Sequence, residues 1–348
     1  AHHYVLHGDY PEISAMIFSW QNLFLQIVCG GGSMACDVFI LITGFYMIGR
    51  ENISKKKTIL LVFEMLFYGL FGVVALILTG SHSYSKIELI KAVFPILWGN
   101  WFCVYYIVFS MFIPYLNRGL NALSKEQYKK LVVTILVIWS IIPTLTGHAW
   151  KFGDYDTFVF MYIVGGYLGK HYVADKETVK KAGISLIVCV AIYILSVMGM
   201  DFLGIKLNKS VFLEKAVYLR NISSVISVVI AISLVLIFKN LNFKSKTINN
   251  ISGTVLGTYL LHDNSIIRNK IWNEWCPNNC YITSQFFPLH FVIKVCVVFV
   301  GCTVIDLIRK NTVERFLIRK IFKTIFFSDL SYHLTRITCC HYIFWYVT

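Results

Sequence analysis

Apolar runs alternate with short polar, charge-bearing stretches along nearly the whole chain. Nine runs, at 33–49, 58–79, 98–116, 131–147, 157–169, 183–200, 219–238, 251–266 and 286–308, approach the ~20 apolar residues a helix needs to cross hydrocarbon. The runs at 157–169 and 251–266 are short and need flanking apolar residues to gain a turn. The pattern predicts an all-α, polytopic membrane bundle with about nine helices crossing the bilayer. Residues 1–323 make up the membrane domain. The tail 324–348 resumes an aromatic, apolar character without a spanning length, and no role is assigned to it.

Positive charge alternates from loop to loop, and Lys/Arg-rich short loops are retained in the cytoplasm. One set of loops carries Arg50 with Lys55, Lys56 and Lys57, then Arg118 with Lys125, Lys129 and Lys130, then Lys170 with Lys176, Lys180 and Lys181, then Lys239 with Lys244 and Lys246. The basic segment Arg309–Lys323 closes the set, so the C-terminus is expected in the cytoplasm. The opposite set is poorer in charge and is expected outside. Nine crossings then put the first residues outside, and a chain that opens on Ala1 without a leader is expected to lack an earlier span of a ten-span parent.

Composition agrees with this topology. Of 348 residues, 57% are hydrophobic and 14% charged, too apolar for a water-facing exterior. The net charge of +14 is distributed among loops rather than along one basic face, which argues against nucleic acid as a partner. Most of the ten cysteines sit singly in apolar runs, where a thiol packs as a small hydrophobe. Cys276 and Cys280 flank a Pro-Asn-Asn turn without further ligands at zinc spacing, so no metal is expected. GxxxxGK[ST], GxGxxG and HExxH motifs are absent, so no tightly bound cofactor is expected either.

Ionisable groups at membrane depth are costly and are therefore candidates for chemistry. Asp37 is expected about one turn inside the outer end of the first helix, with no cation on its own helix to pair with. His2 and His3 precede the same face, and His262 ends a helix arriving there. An imidazole held by a carboxylate can take a proton from a hydroxyl, which nominates His3, Asp37 and His2 as catalytic. Trp101, Tyr105, Tyr259 and His262 are candidates for binding substrate, since aromatic faces suit sugar rings. Arg50, Lys55 and Lys56 could hold the phosphates of a nucleotide-containing donor.

In combination these segments resemble the acyltransferase-3 family, bacterial membrane enzymes that acylate carbohydrate hydroxyls. His2-His3-Tyr4 is similar to the end of the family's first helix, with His3 the better match; the arginine that precedes it in the family has no counterpart among these residues. Ala35-Cys36-Asp37-Val38-Phe39 through Thr43-Gly44-Phe45 resembles the second-helix pattern, with Thr43 where serine is usual. Trp101-Phe102 with Tyr105 and Pro114, Ser252-Gly253-Thr254 through Tyr259 and His262, and Asp306 with Arg309 follow in the family's order. The resemblance implies an O-acyltransferase of the bacterial plasma membrane. It implies acetyl-CoA or another acyl-CoA as the cytoplasmic donor, and a sugar of a cell-surface polysaccharide as acceptor. His3 would be the general base, Asp37 its partner, and the Trp101 end of its helix part of the acceptor wall. The competing expectation is a transporter or flippase for a lipid-linked saccharide, with Asp37 and the histidines as a proton relay.

Overall fold

The structure, a computed structural model, describes residues 1–8, 19–79, 84–147, 155–172, 175–222, 224–241 and 244–317. The 324–348 tail and the side chain of Lys55 lie outside what it describes. Among the described residues every regular element is helical. A short α1 (His2–Leu6) precedes α2 (Trp20–Cys29) and α3 (Gly31–Met47), which together form one pass. Then follow α4 (Lys55–Leu78), α5 (Trp101–Ala122), α6 (Lys125–Leu136) and α7 (Tyr155–His171). The second half holds α8 (Lys176–Lys206), α9 (Val225–Lys239), the broken pair α10 (Lys246–Ser252) and α11 (Val255–His262), and α12 (Phe287–Arg309). Among the described residues six stretches are long and apolar enough to cross a membrane, and the other three expected crossings fall on α5, α7 and the α10–α11 pair. The chain is a multi-pass helical membrane protein.

Helix starts carry the expected caps. Ser54, Asp175, Ser224 and Ser245 each accept a hydrogen bond from a backbone N–H of the first turn, and Ser124 with Gln127 forms a full capping box. Lys55, Lys56 and Lys57 stand at the N-terminus of α4, the end where the helix dipole disfavours cations. Helix energetics therefore do not account for that placement.

The first pass begins at Trp20, well before the expected 33. The triple glycine at 30–32 reads as a break, yet the chain stays helical through it because tertiary contacts use the missing side chains. A Cβ on Gly30 would stand 2.8 Å from the Tyr193 hydroxyl, and one on Gly32 would stand 2.3 Å from the His2 ring. Asp37 is consequently not one turn inside a helix end. It lies nearer the Met47 end of the pass than the Trp20 end and is completely buried.

The core is organised around the crossing of α3 and α7. Here Gly165 and Gly169, one turn apart, let the α7 backbone touch α3: a Cβ on either would sit 2.1 Å from the carbonyl oxygen of Leu41 or Phe45. This is small-residue packing of the kind that lets membrane helices approach closely. The end of α3 is capped from outside its own chain segment. Asn117 on α5 donates to the carbonyls of Met47 and Arg50, both at 2.7 Å, and Asn121 donates to Ile48 at 2.8 Å. Tyr162 in turn donates to the Asn117 oxygen at 2.7 Å, so the cap is fixed by α7.

A second buried cluster ties α12 to α4. Arg309 donates to Glu64 (2.8 Å), Asp306 (2.7 Å) and Glu314 (3.0 Å), and the Tyr68 hydroxyl donates to Asp306 at 2.7 Å. Asp306 and Arg309, which the family resemblance singled out, are thus packed into the bundle, with Asp306 lying in the space that Gly257 leaves free.

Gly165→Leu is expected to force α3 and α7 apart and to lower stability by at least about 1–3 kcal/mol, the usual range for overpacking. Gly301→Leu on α12, where a Cβ meets nothing within 4 Å, serves as the control with a change near zero. Melting temperatures in one detergent check both.

Candidate functional site

Tyr4 sets the rotation of α1. Its ring is fully buried, edge-on to Trp272 (6.1 Å between centroids) and Phe291 (5.0 Å), with its hydroxyl 2.8 Å from His290 Nδ1. Asn278 donates to the Tyr4 carbonyl at 3.0 Å. With Tyr4 fixed, His2 turns toward α3 and His3 toward α11. His7, one helical turn after His3, shares its face.

The end of α11 is held as firmly. Asn264, just past it, accepts from the N–H groups of Ile266 and Ile267 and donates to the Tyr68 carbonyl on α4 at 3.0 Å. The room for Asn264 comes from Gly72, whose absent Cβ would lie 2.5 Å from the Asn264 oxygen. His262 and Asp263 are therefore presented to α1 by a turn anchored on α4.

Four groups meet there. His262 Nδ1 lies 2.5 Å from the Thr258 carbonyl, and its Nε2 lies 2.8 Å from His3 Nδ1. A carbonyl only accepts, so His262 Nδ1 carries a proton and, in the neutral ring, Nε2 is an acceptor. His3 Nδ1 must then be the donor to it, which leaves the His3 Nε2 lone pair available as a base. The carboxylate of Asp263 stands 3.8 Å from His3 Nδ1 and 3.2 Å from His7 Nε2, with Arg268 at 3.7 Å on its other side. Burial pushes His3, which lies outside the spanning helices, down to about 3, against the opposing pull of Asp263. His3 is accordingly neutral around pH 7 and able to take up a proton.

The other nominated residues are distributed as follows. The Tyr259 ring lies 6.0 Å from His3. His2 donates through Nδ1 to the Cys29 carbonyl at 2.7 Å, so it braces the junction of α2 and α3. Asp37 lies five residues beyond Gly32, the residue under His2, and so about 7.5 Å further along α3. The carboxylate measured beside His3 is Asp263. Trp101 and Tyr105 form an aromatic cluster on α5, where Tyr105 stacks on Tyr155 at 4.0 Å. Arg50 lies three residues past the Met47 end of α3, about 22 Å of helix from Gly32, and Lys56 opens α4 just beyond. Cys276 and Cys280 are exposed free thiols.

Sequence reasoning did not single out His7 or Asp263. The i, i+4 spacing of His3 and His7 and the adjacency of His262 and Asp263 were the available signals. His3, His7 and Asp263 also bring three potential metal-ligand atoms within 4.8 Å of one another. A zinc ion bound to His3 Nδ1 would need that nitrogen deprotonated, ending its donation to His262. Metal binding and the histidine relay therefore compete for the same atom.

The family model described as an acyltransferase domain, acyltransferase-3, matches residues 1–307. No curated protein and no solved structure matches the chain.

In protein labelled with ¹⁵N-histidine, ring ¹⁵N–¹H correlations are expected to show His3 as the neutral Nδ1–H tautomer from pH 7 down to about 5. His262→Ala is expected to release that tautomer. An Nε2–H form of His3 in the unaltered protein would contradict the relay.

Proposed function

Because the chain belongs to the acyltransferase-3 family, we propose that this membrane acyltransferase moves an acetyl group from cytoplasmic acetyl-CoA to a sugar hydroxyl of a cell-surface polysaccharide. The observation that carries this reading is the chain from the Thr258 carbonyl through His262 to His3, which leaves one basic nitrogen, His3 Nε2, directed by its neighbours rather than by its own rotamer.

In this mechanism His3 Nε2 removes the proton of the acceptor hydroxyl as its oxygen attacks the thioester carbonyl. The new C–O bond forms a tetrahedral oxyanion, and the C–S bond then breaks. The imidazolium returns its proton to the departing thiolate, so the histidine ends as it began. While His3 carries the positive charge, Asp263 at 3.8 Å offsets it and His262 keeps accepting from Nδ1. Tyr259 offers an aromatic face beside the base, suited to a sugar ring.

The donor end is assigned to Arg50 and Lys56, with Lys55 beside them. Cations suit the phosphates of CoA through charge-assisted hydrogen bonds. Their place past the far end of α3 from Gly32, the residue under His2, supports a division in which the donor approaches from the face opposite the acceptor.

Purified protein in detergent is expected to transfer labelled acetyl from acetyl-CoA to surface glycan, with no sealed compartment or gradient. A lipid-linked saccharide carrier would need both. His3→Ala is expected to lower kcat about a hundred- to ten-thousandfold, the usual contribution of a general base, with Asp263→Asn acting in the same direction. The acid limb of the rate profile is expected below the ordinary histidine value of about 6.5, because only the neutral form of His3 is active and burial lowers its pKa. Full activity in His3→Ala would remove the base assignment.

A further inference from the structure

A groove of about 540 Å³ runs along α12. Phe71, Leu261, Ile271, Val298 and Ile305 line it. From His290 to Ile305 it follows about 22 Å of helix. Ile293 and Val297 on its rim are 53% and 64% exposed, so it opens on the lipid-facing surface. Its open surface is almost wholly apolar, and Lys270, Lys294 and His290 border it.

Lys294 is the unusual member. It is 8% exposed on a membrane helix, and its ammonium donates to the carbonyls of Trp275 and Cys276 at 2.8 and 2.6 Å. Those carbonyls satisfy hydrogen bonds but carry no net charge, and no carboxylate among the described residues pairs with this lysine. Lys270 nearby has Glu274 at 3.3 Å. The His290 ring approaches the same Cys276 carbonyl, but its Nε2 completes no hydrogen bond of ordinary geometry. A buried cation without a counter-charge at membrane depth is costly, and an anion brought by a ligand would remove that cost.

We propose that this groove binds a phosphate-bearing lipid, with its chain along α12 and its phosphate at Lys294, Lys270 and His290. The apolar length fits a chain, and Lys294, buried at the border of the groove without a counter-charge, fits the phosphate. Through its bond to Tyr4, His290 connects the phosphate end to α1, next to His3. A lipid held there would present its head beside the histidine pocket. Only the last step rests on the acyl-transfer reading, in which the acceptor sugar is delivered on that lipid phosphate.

Binding of oleoyl lysophosphatidic acid and of monoolein, which share one acyl chain and differ by the phosphate, tests this by native mass spectrometry on delipidated protein. The phosphate lipid is expected to bind about tenfold more tightly or better. Lys294→Gln is expected to abolish most of that preference while leaving monoolein binding unchanged. Gly301→Leu, which fills the groove without touching the lysines, is expected to weaken both lipids. If Lys294→Gln does not fold, Lys270→Gln carries the same expectation with a smaller drop. Equal binding of the two lipids, or an undiminished preference in the lysine variants, would overturn the proposal. None of these readouts needs an acyl donor, so they stand or fall separately from catalysis.

Discussion

Hydrocarbon offers no hydrogen bonds, and the placement of polar side chains in this bundle follows from that constraint. At several points where a helix ends or breaks inside the protein, a side chain from another segment takes up the exposed carbonyls. Asn117 and Asn121 do this for the end of α3, Lys294 for Trp275 and Cys276, and Lys310 for Gly253 at the break between α10 and α11 (2.7 Å). These contacts join elements far apart in sequence, so satisfying the backbone also fixes which helices meet. Glycines complete the arrangement by allowing backbones to touch, as Gly165 and Gly169 do against α3.

The candidate site is a product of the same accounting. The Thr258 carbonyl lies one turn before the end of α11, and besides its place in the helix ladder it accepts from His262 Nδ1. That local satisfaction dictates the tautomer of His262, and the tautomer of His262 dictates that of His3. A histidine's proton would otherwise be free to sit on either nitrogen. Here the choice is inherited from a helix end, which in turn is positioned by Asn264 against Gly72 and Tyr68 on α4.

Much of the architecture was legible because its cause is local. The apolar runs and the Lys/Arg loops announce the crossings, and each expected run has a helix in the structure. What the sequence concealed is tertiary. The helix extends back past the apolar run that starts at 33, because Gly30 and Gly32 keep helical backbone while giving their side-chain space to Tyr193 and His2. The expected start of the first pass was therefore late, and Asp37 was set too near its end. His3 and His262 could be nominated from spacing and from resemblance, but their direct hydrogen bond spans 259 residues of sequence and no local pattern encodes it. Asp263 was hidden for the opposite reason, since a carboxylate at the end of a helix ordinarily reads as a surface residue.

In the proposed mechanism Asp263 also helps a buried histidine to act as a base. Burial favours the neutral ring, which is the form that accepts a proton, yet the same burial would penalise the imidazolium that results. Two features offset that penalty at the moment it arises. The C-terminus of α11 points its negative dipole end at His3, and Asp263 adds a full negative charge at 3.8 Å. A carboxylate at that helix end is itself unfavourable, and Arg268 and His7 stabilise it there. The field therefore exists before any proton moves, and the protein need not reorganise when His3 becomes charged. Fixed dipoles and charges aimed at the place where charge develops favour the transition state over the resting state, and a pair made with a deeper carboxylate such as Asp37 would lack the helix-end contribution.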